Sequence, residues 1–431
     1  MTTVFRSMAL SGFSRAVTLP ITFFATFATT SIVIAYAGAT MYGFVALIGL
    51  LFQLIPFADL GLGAAVSTAM ARRSSNDGGE DVARETVKSA FRALMLSSIV
   101  LLAILTVISA AGAWPDMLGL PDSLAGASRW AILVSLAPFA LSLPFGIGQR
   151  MLLGDGKNHV VNLVSVMGPV LATLATLVLA FSGAEPLVLA MATPFGVLGV
   201  SVTCFVLAFR NVHWKWRTVW EAPQALSTPL DIWHAAAPMM IVMITVPLAL
   251  QSGRLIVAHM GSPEQLASYS LAAQFYAPTL SLITTAGIAL WPSFARLGSQ
   301  GRALWTKSIG IMAVTGLVAG ILFLVLVRPV AWIVSSQQID VPWDVAAAFA
   351  MLLFVTALHQ PSAYLLTSPR LLTFQAGSSS AMALAAIPLA IFLTPLVGAS
   401  GPIWAMVIAV GACQMIPCII RSSLFLKGHA E

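Results

Sequence analysis

The chain reads Tyr36-Ala-Gly-Ala-Thr-Met-Tyr42-Gly-Phe44, continues through an apolar run to Phe57-Ala-Asp59-Leu-Gly61-Leu-Gly63, and reaches Arg72-Arg73. The apolar part is long enough to cross a bilayer as a helix. Small residues after Asp59 would let helix backbones approach closely in lipid, and the two arginines mark the start of a cytoplasmic loop. The stretch therefore predicts a membrane-spanning helix that carries one carboxylate.

The composition extends this interpretation to the whole chain of 431 residues. Hydrophobic residues make up 59% and charged residues 8%, and the mean hydropathy is +0.94, so we predict an all-α polytopic membrane protein. The net charge is +6, but basic residues form no dense run, which argues against a nucleic-acid partner. The three cysteines lie in apolar runs and are interpreted as small buried hydrophobic residues.

Apolar runs predict about twelve crossings. They lie near residues 14–36, 42–68, 90–112, 128–148, 160–182, 187–209, 236–258, 266–291, 307–327, 344–366, 371–394 and 402–424.

The basic residues segregate with these crossings. With the N-terminus in the cytoplasm, all of the 21 Lys and Arg residues except Arg129, Arg254 and Arg328 fall at the cytoplasmic side. Since a wrong helix count would scramble this pattern, we predict that both termini are cytoplasmic. The N-terminal stretch resembles a signal peptide, but we interpret it as a retained first helix.

The chain also divides near its middle. We predict an N-terminal six-helix bundle over 1–212, a cytoplasmic interfacial linker over 213–233 that is rich in tryptophan and cations, and a C-terminal six-helix bundle over 234–431. The segment before Tyr42 is weakly similar to the one before Tyr269, at the matching place in each half. Two repeats of the same orientation would be related by an axis along the membrane normal.

Arg254 is the leading candidate for a binding residue, because it lies well inside the seventh crossing. An arginine at a helix centre costs roughly 2.5 to 3.5 kcal/mol, so it is expected to face protein or a wet cavity. Its guanidinium suits phosphate oxygens, and Gln251 and Ser252 add a polar face. The alternative is an arginine that extends to the outer interface.

Asp59 is the second candidate. It could be a proton site, a cation partner in a cavity, or a structural carboxylate that pairs with Arg72, Arg73 or another helix end. Pairing between Asp59 and Arg254 is not predicted, because the two residues lie at opposite depths.

Further polar residues form two groups. Arg15, Arg92, Arg150 and Arg296 could form a cationic vestibule for a lipid-linked phosphate or could simply be positive-inside anchors. Seven residues are candidates to line a sugar path, although each could equally form a hydrogen bond between helices. They are Gln53, Gln149, Gln274, His359, Gln360, Gln375 and Gln414.

The sequence shows no nucleotide-binding loop, no metal-ligand cluster and no paired catalytic carboxylates, so we predict no cofactor, no metal and no enzyme activity. Gly398-Ala-Ser-Gly401 matches the motif of an intramembrane protease, but no histidine follows in a later membrane helix to serve as the base.

Four stretches resemble the polysaccharide flippases that export O-antigen and exopolysaccharide units, within the multidrug/oligosaccharidyl-lipid/polysaccharide exporter superfamily. They are the Tyr42 to Gly63 stretch, the arginine of the seventh crossing, Gln149-Arg150-Met-Leu-Leu-Gly154-Asp-Gly156-Lys157, and Trp291-Pro-Ser-Phe294-Ala-Arg296. The chain departs from the family at Gly253, where members often carry an acid, and in lacking a cation in the middle of the first helix.

The resemblance implies a transporter-like fold in which two six-helix bundles surround a central cavity. It implies a cargo of undecaprenyl-pyrophosphate-linked oligosaccharide, moved across the bacterial inner membrane by alternating access for lipopolysaccharide or exopolysaccharide synthesis. Partners would then be the lipid-linked cargo, membrane lipids and other polysaccharide-assembly proteins. A drug/cation antiporter and an intramembrane polysaccharide-assembly enzyme stay open as alternatives.

Overall fold

The computed structural model describes most of the chain. The described residues are 2–49, 51–54, 62–73, 79–220, 230–288, 290, 294, 301–367 and 369–428. In these ranges every regular element is helical.

The first half of the chain contains eleven of the described α-helices. They are α1 (Thr2–Ala37), α2 (Ala39–Gly49), α3 (Leu62–Arg72), α4 (Gly79–Ala111), α5 (Trp114–Leu118), α6 (Ala125–Phe145), α7 (Ile147–Gly154), α8 (Asn158–Ser165), α9 (Met167–Phe181), α10 (Ala192–Val212) and α11 (Trp216–Trp220). Short 3₁₀ turns lie at Leu51–Leu54, Asp122–Leu124 and Pro186–Met191.

The described part of the second half contains fewer and longer helices. They are α12 (Leu230–Met260), α13 (Pro263–Ile288), α14 (Arg302–Val334), α15 (Trp343–Leu365), α16 (Pro369–Val397), α17 (Gly401–Ala409) and α18 (Ile416–Leu426). A 3₁₀ turn, Gly398–Ser400, precedes α17, and a π-helical turn, Val410–Met415, separates α17 from α18.

Eight of the described helical stretches are long and apolar enough to cross a membrane. One of them, Leu371–Leu426, has 56 residues and holds two crossings, because Gly398 in the left-handed region ends α16 before α17 begins. α12 and α13, with 31 and 26 residues, are also long enough to span the hydrocarbon core, and the predicted second crossing includes α2, α3 and residues outside the described ranges. The protein is therefore a multi-pass membrane protein.

Several helices extend well beyond their predicted apolar cores. The third crossing was predicted to begin at residue 90, but α4 begins at Gly79 and is about 50 Å long, against a hydrocarbon thickness of about 30 Å. Hydropathy marks only the apolar part of a helix, whereas the added turns carry charged residues such as Glu80 and Arg84. Similarly, α1 and α14 begin before their predicted starts.

The second crossing also differs from its prediction. The loop predicted over residues 37–41 is reduced to Gly38, whose φ of +86° separates α1 from α2. The crossing is not one continuous helix, since a 3₁₀ turn follows α2. Asp59 lies outside the described residues.

The chain forms two compact units. The first unit contains Met1–Gly38 and Ile48–Thr228, and the second contains Ala39–Leu47 and Pro229–Glu431. Most of α2 therefore belongs to the second unit, a feature that the sequence did not predict. The boundaries predicted for the bundles and linker remain a prediction.

The core of the first unit lies where α3, α4, α7 and α10 meet. Its buried side chains include Met70, Val87, Ile147, Met151 and Cys204. The aromatic ring of Trp216 in α11 packs on Phe91, with 4.6 Å between ring centroids. The short helix of the predicted linker is thus anchored to the first unit.

The described residues of the second unit include several small hydrophobic clusters. In one of them, Phe294, Trp305, Leu365 and Leu426 pack together, and the indole of Trp305 donates a hydrogen bond to Ser362 (3.1 Å). Gly316 and Gly320 of α14 lie against α15. In the same unit, cavities are enclosed by α12, α13, α15, α16 and α17.

Candidate functional site

Arg254 is buried inside the second unit. Its exposed fraction is 6%, and it lines a cavity of about 320 Å³. Among the described residues, its Nε and Nη1 atoms have no hydrogen-bond partner, and no acid forms an ion pair with it. The interior position favours a cavity-facing arginine over one that extends to the membrane interface.

The cavity around Arg254 is built by α12, α13, α15 and α17. Its lining residues are Leu250, Gln251, Arg254, Tyr269, Ala273, Tyr276, Ala277, Leu280, Ser281, Thr284, Phe349, Leu352, Ile403 and Met406. Those on α13 recur every three or four residues, so a single face of that helix carries two phenols and two hydroxyls.

Two glycines bring phenols to the guanidinium. Gly253, which precedes Arg254, faces the Tyr269 hydroxyl so closely that a Cβ there would overlap it. Gly43 of α2 lies against α13, where a Cβ would be 3.0 Å from the backbone nitrogen of Ala267. As a result, both Tyr42 and Tyr269 lie near Arg254.

Tyr42 has a second contact in this region. Its hydroxyl donates a hydrogen bond to Oε1 of Gln274 (2.7 Å), which connects α2 to α13 inside the second unit. Gln274 was a candidate either to line a sugar path or to form a hydrogen bond between helices, and its amide oxygen forms such a bond with Tyr42.

The second unit contains no acidic residue in the middle of a helix. Between residues 232 and 430 the only acids are Glu264, Asp340 and Asp344. Glu264 and Asp344 lie in the first turns of α13 and α15, and Asp340 pairs with Arg328 at 2.9 Å beyond the end of α14. Since the cavity lining contains no acidic residue and no described acid pairs with Arg254, Arg254 gives this cavity a positive charge.

A second cavity of about 280 Å³ adjoins the first. Both cavities are lined by Leu250, Tyr276, Leu280, Thr284, Leu352 and Met406. The second is also lined by His359, Gln360, Gln375 and Gln414, four of the seven residues predicted for a sugar path. They come from α15, α16 and the π-helical turn, so only the tertiary structure brings them together.

The other predicted residues have different surroundings. Gln251 lines the first cavity, whereas the Ser252 hydroxyl donates to the backbone carbonyl of Ala249 in its own helix (2.8 Å). Arg150 is exposed in the first unit, where its side chain lies over Gly63. Arg92 lies over the Trp220 ring at 4.6 Å.

Four predicted residues cannot be placed. Asp59 and Arg296 lie outside the described residues, as do the side chains of Arg15 and Gln53. Arg73, suggested as a structural partner for Asp59, forms an ion pair with Asp155 at 3.0 Å. The cationic vestibule therefore stays a prediction.

The tyrosines are the site residues that sequence analysis missed. Tyr42 and Tyr269 were singled out as a sign of internal repetition, and not as neighbours of Arg254. Tyr276 follows Tyr269 by seven residues, which places both on one face of α13. That spacing was the available signal.

Comparison with known families identifies the chain. Residues 14–298 match the model of the family described as polysaccharide biosynthesis protein. The chain belongs to this family. The match includes Arg254 and Tyr269 but ends before His359. Comparison with curated protein sequences gives no match.

Solved structures with the same fold are transporters. A multidrug resistance MATE family transporter of the MOP superfamily, inward-facing, has a TM-score of 0.71 at 15% identity, with 97% of this chain and 100% of that chain covered. The lipid II flippase MurJ, in an inward closed conformation, has a TM-score of 0.68 at 12% identity, with 94% of this chain and 87% of that chain covered. At these identities the likeness shows the fold alone, which is the fold class predicted from the sequence.

Proposed function

We propose that this polysaccharide biosynthesis protein is a flippase. It would move an undecaprenyl-pyrophosphate-linked oligosaccharide from the inner to the outer leaflet by alternating access. Its place would be the bacterial inner membrane with both termini cytoplasmic, as the distribution of Lys and Arg indicates. Sugars and pyrophosphate cannot cross hydrocarbon unaided, so a polar cavity has to replace their water.

Arg254 is the observation that carries this proposal. A buried guanidinium without an acidic partner is unfavourable, and such groups in membranes are usually functional. Its unpartnered nitrogens line a cavity that also holds two phenols and two hydroxyls. An anionic group with several oxygens, such as a pyrophosphate, would satisfy both nitrogens.

The charge of the cavity separates the two transporter hypotheses. A MATE-like drug/cation antiporter also fits the fold, but a cationic drug would need an anionic residue in its site. The cavity lining contains none, and Arg254 would repel a cation. The same chemistry favours an anionic cargo.

A variant series at Arg254 tests the proposal. Arg254→Ala should abolish export of the glycan while the amount of protein in the membrane stays the same. Arg254→Lys should restore only part of it, because a point charge replaces a two-pronged donor. The readout is accumulation of lipid-linked glycan in the inner leaflet of a deletion strain that carries each variant.

Arg328→Ala is the matched control. Arg328 is also an arginine of the second unit, but it pairs with Asp340 at the end of α14 and lies outside both cavities. Its replacement should leave export unchanged. Export at the wild-type rate by Arg254→Ala would show that Arg254 does not bind the cargo.

A further inference from the structure

The second cavity contains two buried hydrogen-bonding atoms without partners. These are Nδ1 of His359, whose side chain is only 8% exposed, and Oε1 of Gln375. Both residues line the cavity, and neither atom meets a donor or acceptor among the described residues. Buried polar atoms are nearly always paired, so each of these needs a specific explanation.

The chemistry of these atoms restricts what could pair with them. The amide oxygen of Gln375 only accepts hydrogen bonds, so a phosphate oxygen cannot satisfy it. A neutral imidazole donates from one nitrogen and accepts at the other. A hydroxyl group can donate to Gln375 and can also either donate to or accept from His359. The pair therefore fits a ligand with several neutral hydroxyls.

The rest of the cavity suits the same ligand. The rings of Tyr276 and Tyr364 and the apolar side chains of Val246 and Met382 line its walls. Ligand pockets are typically apolar with a few well-placed polar groups. A sugar ring has this mixed character, with apolar C–H faces and hydroxyls at its edge.

A hydrogen bond and close packing position other side chains of the cavity wall. The Nε2 atom of Gln414 in the π-helical turn donates to Ser379 of α16 at 2.9 Å. Gly287 of α13 lies against both Gln360 and Tyr364, and a Cβ there would be 2.8 Å from the Tyr364 ring. Gly287 thus makes room for two residues of the cavity wall.

The two cavities form a path with distinct ends. Lining residues of the two cavities follow one another along α15 from Phe349 to Tyr364, over about 22 Å of helix. The cation Arg254 belongs to one cavity, and the neutral pair His359 and Gln375 belongs to the other. A sugar diphosphate has the same order of groups, an anion followed by neutral hydroxyls.

We propose that the second cavity binds the sugar next to the diphosphate of the cargo, with His359 and Gln375 as its hydrogen-bonding residues. This rests on the proposed function and adds a second recognition point to it. Arg254 would bind the charged group common to all lipid diphosphates. His359 and Gln375 would distinguish a lipid that bears a sugar from one that does not.

Binding to the purified full-length protein in lipid nanodiscs tests this. The two probes are undecaprenyl diphosphate and undecaprenyl diphosphate that carries one N-acetylglucosamine. His359→Leu and Gln375→Leu should each weaken binding of the sugar-bearing probe about tenfold, equivalent to about 1.4 kcal/mol. Binding of the bare probe should not change, and Gln338→Leu, at an exposed position outside both cavities, should change neither.

The outcomes separate this proposal from the one on which it rests. Arg254→Ala should weaken binding of both probes equally, and if it weakens neither, the phosphate site is wrong. If both leucine variants bind the two probes with the wild-type ratio, the sugar site is wrong and the cavity holds only water. Because two separate variants are tested, the result does not depend on either one alone folding correctly. A general loss of stability would weaken binding of both probes, so it would not change the ratio of their affinities.

Discussion

Two arginines, Arg73 in the first unit and Arg254 in the second, have opposite surroundings. In the first unit Arg73 pairs with Asp155 at 3.0 Å, Asp155 also accepts from Asn211, and Lys157 donates to Asn211. This network connects the ends of α3, α7 and α10. In the second unit Arg254 is more deeply buried, yet it has no acidic partner among the described residues.

The presence or absence of an acidic partner indicates whether a cation has a structural or a functional role. A cation that has a carboxylate partner holds helices together, and its replacement exposes the partner's charge. A buried cation without a partner reduces stability, because its desolvation is not compensated. Residues that reduce stability persist where function requires them. The paired network is therefore structural, whereas the burial of Arg254 supports the cargo-binding role proposed for it.

Two glycines, Gly148 in the first unit and Gly253 in the second, also have different surroundings. Gly148 of α7 lies directly on the backbone of Phe205 in α10, whereas Gly253 lies against the hydroxyl end of Tyr269. Backbone cannot move aside, but the end of a side chain can. A methyl group should therefore disturb the fold in the first unit and the site in the second.

Gly148→Ala should have the largest effect on stability. Its Cβ would overlap the Phe205 backbone, and overpacking of this kind lowers the free energy of unfolding by about 3 kcal/mol. The measurement is thermal unfolding in detergent. Gly126→Ala is the control, because nothing lies within 4 Å of a Cβ there. Equal melting temperatures for the two variants would contradict the close contact between α7 and α10.

Replacing arginine by methionine should act in opposite directions in the two units. Arg73→Met should lower the free energy of unfolding by about 2 kcal/mol, because Asp155 loses a charged partner. Arg254→Met should raise it by about 1 to 2 kcal/mol, because an apolar chain of similar length replaces an unpaired buried cation. Denaturation in detergent measures both. A loss of stability in Arg254→Met would mean that Arg254 has a structural partner.

Gly253→Ala should change export more than stability. The added methyl displaces the Tyr269 hydroxyl from the neighbourhood of Arg254, at an expected stability loss of about 1 kcal/mol. Export of the glycan should fall several-fold. Gly377→Ala, with open space around its Cβ, is the matched control in the same unit. If Gly253→Ala exports normally, the position of Tyr269 does not matter to the site.

Arg92→Ala should have the smallest effect. It removes the cation–π contact with Trp220, which at an exposed site contributes about 0.5 to 1 kcal/mol. Trp220→Leu should then lower the free energy of unfolding less in the Arg92→Ala protein than in the wild type. A double-mutant cycle measures this difference. A lipid-linked glycan that accumulates in Arg92→Ala would instead support the predicted cationic vestibule.

The sequence by itself determined the membrane architecture and its most unusual residue. Runs of apolar residues and the distribution of Lys and Arg indicated about twelve crossings, because a helix must be apolar over about 30 Å to cross the bilayer. Arg254 was recognisable because it is a charged residue inside one of these apolar runs. Each of these features depends only on the composition of one segment of the chain. A single sequence is therefore enough to recognise them.

Only the tertiary structure decided which faces of the helices meet. Lipid is as apolar as a protein interior, so an apolar residue in a membrane helix carries no sign of its direction. Leu322 and Phe323 of α14 are consecutive apolar residues, yet the first is 53% exposed and the second 6%. For the same reason the sequence could not show that His359 and Gln375 share a cavity, or that α2 brings Tyr42 to Arg254.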